Sequence, residues 1–323
     1  MLDKYGRKIE YMRVSITDRC DLRCRYCMPE GIKKVSMSQI LTYEEIVRIC
    51  RAASELGISK IKITGGEPFV RLGCTGLMRD IKAIEGIEEV TVTTNGQTLE
   101  RYIEELKDIG IDGINISLDT LDPERFEFIT GKGKLEKTLR AIELSARSGI
   151  KTKINTLLQK EFNEDEIKDI SSLAFRYGID VRFIEMMPVG AADADAGLSN
   201  TEVLKKLMEI WPDLEPDGSV HGNGPAVYYK RPGVRGGIGL ISAMHGKFCR
   251  YCNRVRLTSQ GQLKPCLSFD TGTDLMPFLK GTDDELKEAM RKAIIDKPKA
   301  HSFSDEGNAS DHAEQRLMSQ IGG

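Results

Sequence analysis

Short apolar runs alternate with longer amphipathic stretches along the first part of the chain, up to about residue 190. Each short run is rich in Ile, Val or Thr, a composition that is typical of buried parallel strands. We therefore predict six strands, which are Met12–Thr17, Lys60–Thr64, Val90–Asn95, Gly113–Asp119, Thr152–Leu158 and Val181–Pro188.

The amphipathic stretches between these runs have the features of helices. Thr42 and Glu45 have the spacing of a capping box, and the apolar residues that follow recur at helical spacing. Similar periodic stretches that end at glycine predict helices over Thr98–Gly110, Lys134–Gly149 and Asn163–Gly178. The repeated alternation of strand and helix predicts an α/β protein, with either an open doubly wound sheet or a full or partial barrel.

The residues that follow the predicted strands favour the barrel. Polar or glycine-rich segments follow successive strands, as at Thr17–Cys20, Gly65–Pro68 and Thr93–Gly96. A dinucleotide-binding sheet would concentrate such residues after its first strand, whereas a barrel collects them at the C-terminal ends of many strands. We predict an incomplete (β/α)6 barrel of the TIM type over residues 1–195, and a C-terminal domain over residues 196–323.

Charge and hydropathy exclude two classes of partner. The 323 residues include 47 Lys+Arg and 49 Asp+Glu, so the formal net charge is −2, which argues against binding of a nucleic-acid polymer. No apolar segment approaches the ~18 residues of a membrane span, and the first residues lack the apolar core of a signal peptide. We therefore expect a cytoplasmic protein with no membrane segment.

The cysteines are the unusual feature of the composition. There are eight of them, in two clusters and two single positions, and in a reduced compartment such clusters indicate metal or redox chemistry. Cys20, Cys24 and Cys27 have the spacing C-x3-C-x2-C in the loop after the first predicted strand. Three thiolates can hold three irons of a [4Fe–4S] cluster and leave the fourth iron open for a substrate. A zinc site is the alternative, although no histidine lies near in sequence.

The second cluster lies in the predicted C-terminal domain, where the glycine-rich stretch 233–239 is predicted to be a loop. Cys249, Cys252 and Cys266 again number three, which fits either a second iron–sulfur cluster or a zinc site completed by His245. Arg254 and Arg256 would lie on one side of an extended segment, where their guanidinium groups suit a phosphate or a purine edge. Solvated surface arginines are the alternative for this pair.

Several motifs together resemble a known family. The pattern C-x3-C-x-Y-C at Cys20–Cys27, with Gly-Gly-Glu-Pro at Gly65–Pro68, resembles the radical S-adenosylmethionine enzymes. More of the chain is similar to one family of that group, the GTP 3′,8-cyclases of molybdenum cofactor biosynthesis. The similar runs are Leu118–Phe126, Val181–Pro188, Phe248–Thr258, Cys266-Leu267 and the C-terminal Met318–Gly323.

This resemblance implies a set of cofactors and site residues. The cofactors are S-adenosylmethionine and two [4Fe–4S] clusters, with Cys20, Cys24 and Cys27 holding the first cluster and Cys249, Cys252 and Cys266 holding the second. The residues that match the family's S-adenosylmethionine contacts are Tyr26, Gly66, Ser117 and Met187. Those that match its GTP contacts are Arg13, Lys62, Thr93, Lys153, Arg254, Val255 and Arg256, with Lys60 and Arg182 as further cationic candidates.

The resemblance also implies a reaction. A deoxyadenosyl radical removes the ribose 3′ hydrogen, and the sugar then bonds to C8 of guanine, with Arg13 as a candidate proton donor near the product. Gly322 and Gly323 are expected to reach the active site and support radical initiation. An electron donor such as flavodoxin or ferredoxin, transfer of the product to cyclic pyranopterin monophosphate synthase, and a homodimer are further expectations.

Two other functions remain open at this point. A peptide-modifying radical enzyme with two clusters would usually have more than three cysteines in its C-terminal part. A zinc-stabilised nucleic-acid-binding module would be colourless and would not cleave S-adenosylmethionine. The chain also departs from the family at Lys62, where arginine is usual, so the charge is kept but the bidentate fork is lost.

Overall fold

The computed structural model describes residues 1–29, 35–245, 248–301, 303 and 314–322. Within these residues, twelve strands form one sheet in the order β12-β11-β10-β1-β2-β3-β4-β5-β6-β9-β8-β7. The strands are β1 Tyr11–Ser15, β2 Lys60–Thr64, β3 Glu89–Thr94, β4 Gly113–Ser117, β5 Thr152–Leu157, β6 Asp180–Ile184, β7 Glu215–Asp217, β8 Val227–Lys230, β9 Gly237–Ile241, β10 Arg254–Leu257, β11 Gln262–Lys264 and β12 Thr273–Asp274. The six predicted strands therefore form, each with bounds shifted by a few residues at most.

Helices connect the parallel strands and cover the sheet. They are α1 Tyr43–Glu55, α2 Cys74–Lys82, α3 Ile103–Ile109, α4 Pro123–Thr130, α5 Leu135–Ser148, α6 Ile167–Tyr177, α7 Asn200–Ile210, α8 Asp283–Ile295 and the short α9 Met318–Ile321. The predicted capping box of α1 is present, because Thr42 accepts a hydrogen bond from the Glu45 backbone and Glu45 accepts one from the Thr42 backbone. Gly110, Gly149 and Gly178 end their helices in the left-handed conformation, as the sequence predicts.

The apolar faces of these helices pack against the sheet and form one core. On α1 the stripe of Ile46, Ile49, Cys50 and Ala53 is fully buried, so Cys50 is a core residue, as expected. The other single cysteine, Cys74, is also buried, in the first turn of α2. Burial of a thiol in apolar surroundings disfavours the thiolate, which makes both side chains chemically inert.

The C-terminal part of the chain extends the sheet at both ends. β9 pairs in parallel with β6, and β10 pairs in parallel with β1, although β9 and β10 follow each other in the chain. The hydrogen-bonded sheet therefore contains strands from both sides of the predicted domain boundary between residues 195 and 196. The division into two domains at that boundary stays a prediction. Among the described residues, no helix has the length and apolarity that crossing a bilayer requires.

The prediction of a loop for the glycine-rich stretch 233–239 is wrong in part. Gly237 and Gly239 lie within β9, where a Cβ atom on Gly239 would come within 2.9 Å of the Tyr228 ring and 3.0 Å of the Arg182 side chain. Glycine is placed in this strand because two large neighbouring side chains pass directly over the backbone.

Candidate active site

The first cysteine cluster lies in the loop that follows β1. Backbone hydrogen bonds from Arg23 to Thr130 (2.7 Å) and from Arg25 to Ile129 (3.0 Å) attach this loop to the end of α4. Its three cysteine side chains are partly exposed at the C-terminal edge of the sheet. The loop after β1 is therefore held by the β/α unit that begins with β4, three strands away in the sheet.

The Gly-Gly-Glu-Pro segment after β2 packs directly on this loop. The Gly66 and Glu67 amides donate hydrogen bonds of 2.8 Å to the Thr17 and Arg19 carbonyls. A Cβ atom on Gly66 would lie 2.4 Å from the Arg19 carbonyl oxygen. The sequence analysis gave Gly66 as a candidate S-adenosylmethionine contact, and the structure shows in addition that the absence of a side chain there lets the backbone of the cysteine loop pack closely.

Glu67, which follows β2, is hydrogen-bonded through its amide to the loop after β1 and through its carboxylate to the end of β3. Its carboxylate accepts hydrogen bonds from Thr94 Oγ1 at 2.8 Å and from the Asn95 amide at 2.7 Å. Burial raises the pKa of Glu67 to about 8, and these hydrogen bonds partly oppose that rise. Sequence reasoning treated this residue only as part of a motif, although an acid between Gly-Gly and Pro at a strand end was a signal for such a role.

Tyr26 is fixed to the neighbouring strand end. Its hydroxyl donates a 2.6 Å hydrogen bond to Asp119 Oδ2, and burial raises the pKa of Tyr26 well above its usual value. Ser117 is the last residue of β4, and Met187 follows β6. The candidate S-adenosylmethionine residues Tyr26, Gly66, Ser117 and Met187 thus come from loops and strand ends on the same edge of the sheet as the cysteine loop.

The donor set of the first loop suits an iron–sulfur cluster. Burial raises the pKa of Cys20 to about 12 and that of Cys27 to about 11, so each thiol needs a bound cation to become a thiolate. The Leu22 amide lies 3.4 Å and Asn95 Nδ2 lies 3.7 Å from Cys20 Sγ, in position to donate to the sulfur. Such donors around a sulfur ligand stabilise a metal-bound thiolate.

The second cysteine cluster lies between β9, β10 and β11. Cys249 and Cys252 belong to a short turn, and Cys266 follows β11 with its sulfur 3.3 Å from Ser268 Oγ. Burial raises the pKa of Cys252, but the positive charges of Lys297 and Arg254 outweigh it and lower the pKa below its usual value. This cationic environment also fits iron-bound thiolates.

The alternative zinc ligand, His245, is hydrogen-bonded through one of its two ring nitrogens. His245 Nδ1 lies 3.2 Å from Glu185 Oε1, and its side chain is 68% exposed. Within the described part of the chain, no three His, Cys, Asp or Glu side chains converge closely enough to hold one metal ion. Among the described residues, the Cys3His zinc site that was the alternative for this cluster is thus not assembled.

A cavity of about 320 Å³ lies on one face of the sheet. Residues of nine neighbouring strands, from β10 through β1–β6 and β9 to β8, line it together. In a flat sheet the outer two of these strands would be roughly 38 Å apart, so the sheet must curve around the cavity as an open barrel. Seven of the nine predicted substrate residues line this cavity: Arg13, Lys60, Lys62, Thr93, Lys153, Arg182 and Arg254.

The cavity concentrates positive charge. Burial, reinforced by the charges of Arg182 and Arg13, lowers the pKa of Lys62 well below its usual value. Burial also lowers the pKa of Lys153 to about 8, although the carboxylate of Asp180 opposes that change. Unbound cations in such a place are costly, and a polyanion would relieve the cost.

Some of these cations already have protein partners. Lys153 Nζ lies 2.8 Å from Asp180 Oδ2 and donates to the His221 carbonyl at 2.5 Å and to the Tyr228 hydroxyl at 2.9 Å. Arg182 donates to Asn115 Oδ1 at 2.5 Å, and Lys60 pairs with Glu10 at 3.0 Å. An anionic ligand must therefore either displace these protein partners from the cations or bind to the cations in addition to them.

Two predicted substrate residues do not line the cavity. Val255 points to the other face of β10 and is 1% exposed in the core, so only its backbone is available to a ligand. Arg256 is turned toward the C-terminal tail, where its Nη1 donates a 2.9 Å hydrogen bond to the Gly322 carbonyl. A Cβ atom on Gly322, whose φ is +83°, would lie 2.8 Å from Ser15 Cβ, so the tail tip packs on β1. Gly323 lies outside the described residues.

Sequence reasoning missed one further lining element. The loop His221–Pro225 closes one end of the cavity, with Asn223 donating a 2.5 Å hydrogen bond to Glu89 Oε2. The His221 ring stacks on Tyr228 with 3.8 Å between ring centroids. The pattern Gly-Asn-Gly-Pro was the available signal, since it predicts a tight loop of special backbone conformation.

Comparisons with known proteins agree with this geometry. A family model for the radical SAM superfamily matches residues 14–174, and a Molybdenum Cofactor Synthesis C model matches residues 179–303. The structure of SuiB from Streptococcus suis bound to S-adenosylmethionine has a TM-score of 0.62 at 17% identity, over 86% of this chain and 65% of that one. At that identity the likeness shows the fold alone.

The fold and the family models define a radical S-adenosylmethionine protein with a C-terminal extension, which confirms the predicted α/β class. A GTP 3′,8-cyclase of Peptoclostridium acidaminophilum is 47% identical over 94% of both chains. One from Clostridium perfringens (strain SM101) is 41% identical over the full length of both. The chain belongs to the GTP 3′,8-cyclase family.

Proposed function

We propose that this protein converts GTP into (8S)-3′,8-cyclo-7,8-dihydroguanosine 5′-triphosphate, in the first step of molybdenum cofactor biosynthesis. Membership of the GTP 3′,8-cyclase family supports this function. The structural observation that carries it is the cation-lined cavity, which reaches the second cysteine cluster at Arg254, two residues from Cys252. A cavity whose cations suit a polyanionic nucleotide thus adjoins a candidate cluster site.

The six clustered cysteines are the candidate ligands of two [4Fe–4S] clusters. Cys20, Cys24 and Cys27 would hold the first, with Tyr26, Gly66, Ser117 and Met187 around S-adenosylmethionine, and Cys249, Cys252 and Cys266 would hold the second. When bound there, the first cluster and S-adenosylmethionine would supply the radical chemistry that abstraction of the ribose 3′ hydrogen atom requires. The chain's own task is to orient the nucleotide and exclude water.

The cavity cations are proposed to bind the triphosphate. A triphosphate carries several negative charges and many acceptor oxygens, which suit the Lys62 and Lys153 ammonium groups and the Arg182 guanidinium. Thr93 and Lys60 are further candidates on the same wall, and Arg254 would face the guanine side, next to the second cluster. Arg13 lies beside Arg256 in the register of β1 and β10, between the cavity and the tail, and is kept as the candidate proton donor.

The C-terminal tail is proposed to support radical initiation. Gly322 lies against β1, the strand that leads into the first cysteine loop, and Arg256 holds its carbonyl. Glycine suits this place because a side chain would collide with Ser15. Gly323, which follows it in the sequence, is included in the same proposal.

We also infer the partners of this reaction from the family. A flavodoxin or ferredoxin would supply electrons to the clusters, and a cyclic pyranopterin monophosphate synthase would receive the product. The functional unit would be a homodimer.

The test is an anaerobic assay of the reconstituted protein with S-adenosylmethionine, a reductant and GTP. The expected result is 5′-deoxyadenosine together with a cyclised nucleotide in equal amounts. Formation of 5′-deoxyadenosine without any change in GTP would instead favour a peptide-modifying enzyme. A colourless zinc protein that leaves S-adenosylmethionine intact would favour the zinc-binding module.

A further inference from the structure

A buried ion pair lies at the base of the C-terminal tail. Lys264 of β11 and Glu314, the first tail residue that the structure describes after residue 303, form a salt bridge in which both side chains are 0% exposed. The Lys264 ammonium also donates to the Phe269 carbonyl. A fully buried lysine and a fully buried glutamate are each unfavourable alone, so each requires the other.

The sheet makes a counter-charge necessary at this place. Lys264 lies directly opposite Arg256 in the antiparallel pairing of β10 with β11, so two cations occupy neighbouring positions on one face. Like charges that face each other across strands are destabilising. Glu314 supplies the negative charge, and the Gly322 carbonyl accepts from Arg256 at 2.9 Å. One cross-strand pair of cations therefore binds the tail at two points, eight residues apart in the sequence.

Arg316 strengthens the attachment of Glu314. Its guanidinium donates to Glu314 through Nε and Nη2, each at 2.9 Å, and its backbone amide donates to the same carboxylate at 2.8 Å. Arg316 also donates to the Gln262 side chain and to the Asp270 carbonyl. The Glu314 amide donates to Ser268, the residue whose hydroxyl contacts Cys266. The tail base is thus fixed to the loop that carries a candidate ligand of the second cluster.

The other end of the tail reaches the first cysteine loop. Gly190, whose φ is +64°, lies under the tail, because a Cβ atom there would come within 2.9 Å of Leu317 Cα. The Ser319 backbone lies close enough to Cys27 to oppose the rise in the pKa of that thiol, and Ile321 is fully buried. The segment 314–322 therefore runs from the loop of one candidate cluster to the loop of the other.

We propose that Glu314, held by Lys264 and Arg316, is a positioning residue that clamps the tail so that Gly322 meets Arg256 beside the first cysteine loop. The clamp does not touch the reacting atoms. It acts by keeping the tail in the one place from which Gly322 can support turnover, and this role rests on the proposed cyclase function.

The chain offers a direct readout of the clamp. Arg316 is the only lysine or arginine between Lys299 and the C-terminus, so trypsin releases residues 317–323 as a separate fragment only by cleaving after it. With its guanidinium bound to Glu314, this site is protected in the wild-type holoenzyme. We expect trypsin to release this fragment from Glu314→Gln at least about tenfold faster than from the wild-type protein, since a charge-assisted buried contact is gone. Intact-mass analysis over time measures this rate.

Activity separates positioning from simple instability. Glu314→Gln is expected to lower kcat at least about tenfold while the KM for GTP and the iron content of both clusters stay within about twofold of wild type. Lys264→Met/Glu314→Gln removes both buried charges, so it should unfold at the wild-type temperature and still release the tail faster. Lys287→Met on α8, which breaks surface ion pairs with Glu55 of α1 and with Asp284, is the matched control and should behave as wild type.

Two results would overturn the proposal. One is wild-type protection from trypsin in both Glu314 variants, and the other is rapid loss of protection with kcat unchanged. If the wild-type protein forms no cyclised nucleotide, the cyclase function fails separately. Tail cleavage and the rate of 5′-deoxyadenosine formation then still decide whether the clamp operates.

Discussion

At the scale of single residues, buried lysines in the cavity are expected to lower the stability of the free protein and to favour binding of GTP. Alternation along β2 predicts that Lys60 and Lys62 share a face, and both do line the cavity. Their surroundings differ in a way that the sequence does not reveal. Lys60 has Glu10 as an ion-pair partner, whereas the groups that act on the pKa of Lys62 are mainly Arg182, Arg13, Lys153 and Arg254.

Replacing Lys62 should therefore stabilise the free protein and weaken GTP binding. In Lys62→Met, we expect the free energy of unfolding to rise by about 1 kcal/mol, because a buried cation among cations is removed. The KM for GTP should rise about tenfold or more. Thermal melting of the free protein and steady-state kinetics measure the two effects.

Lys60→Met is the matched control, since it breaks an ion pair and should give no gain in stability. A Lys62→Met protein that melts at a lower temperature and binds GTP as well as wild type would refute this account of the cavity.

The lowered pKa of Lys153 predicts a pH dependence. Since burial places this pKa at about 8, the free protein loses the positive charge of Lys153 above that pH. The value of kcat/KM for GTP should then fall about fivefold between pH 8 and pH 9 relative to Lys153→Arg, whose guanidinium stays charged. Identical pH profiles for the two proteins would contradict this assignment.

The sign for stability is opposite. An unfolded chain keeps the lysine proton up to its usual pKa of 10.5, so between pH 8 and pH 10.5 the unfolded state binds more protons at this residue. This contribution therefore makes the free energy of unfolding rise with pH in that window. Below about pH 8 the lysine is protonated in both states, so this contribution to the free energy of unfolding no longer changes with pH.

At the scale of elements, glycines mark where segments pack on one another. The sequence located Gly65–Pro68 correctly at a strand end, but the contact that requires glycine comes from Arg19, in a different β/α unit. The same limit applies to β9, where Tyr228 and Arg182 pass over Gly239. A run of glycines looks like a loop in the sequence, because the neighbours that exclude a side chain are not local.

Gly66→Ala should displace the cysteine loop. Its new Cβ atom would meet a backbone carbonyl oxygen, which has no rotamer by which to move away. We expect at least about a twofold loss of iron from the first cluster in reconstituted protein, while the second cluster is retained. Iron analysis with electron paramagnetic resonance of each cluster makes the measurement.

Gly76→Ala is the control for this change, because no heavy atom lies within 4 Å of a Cβ at that position in α2. It should keep both clusters and gain up to about 1 kcal/mol in the free energy of unfolding, as alanine favours helix. Equal iron content in the two variants would show that the packing of Gly66 on Arg19 does not matter for the loop.

At the scale of the whole molecule, the sequence predicted the repeated strand–helix units better than it predicted which distant strands pair at the two ends of the series. The six strands, the α1 capping box and the division of the cysteines followed from local patterns. The sequence contains no local signal that β9 joins β6 while β10 joins β1, or that Lys264 meets Glu314, because these contacts link distant segments. Partners such as Asp119 for Tyr26 were missed for the same reason.

The tail prediction belongs to this scale, since it connects the C-terminus with both cysteine clusters. Deletion of Gly322 and Gly323 should leave the iron content of both clusters unchanged and abolish cyclisation, because the contacts of Gly322 with Arg256 and Ser15 are lost while every candidate cluster ligand is kept. The ultraviolet–visible spectrum and the product assay check this. Full turnover by the truncated protein would exclude a role for the tip.

The central claim is that the cavity holds GTP with its ribose 3′ carbon facing the radical. GTP that carries deuterium at the 3′ position tests this most directly, with mass analysis of the 5′-deoxyadenosine formed by the reconstituted protein. We predict that the deuterium appears in 5′-deoxyadenosine in step with the cyclised nucleotide. Unlabelled 5′-deoxyadenosine formed alongside unchanged, fully labelled GTP would contradict it.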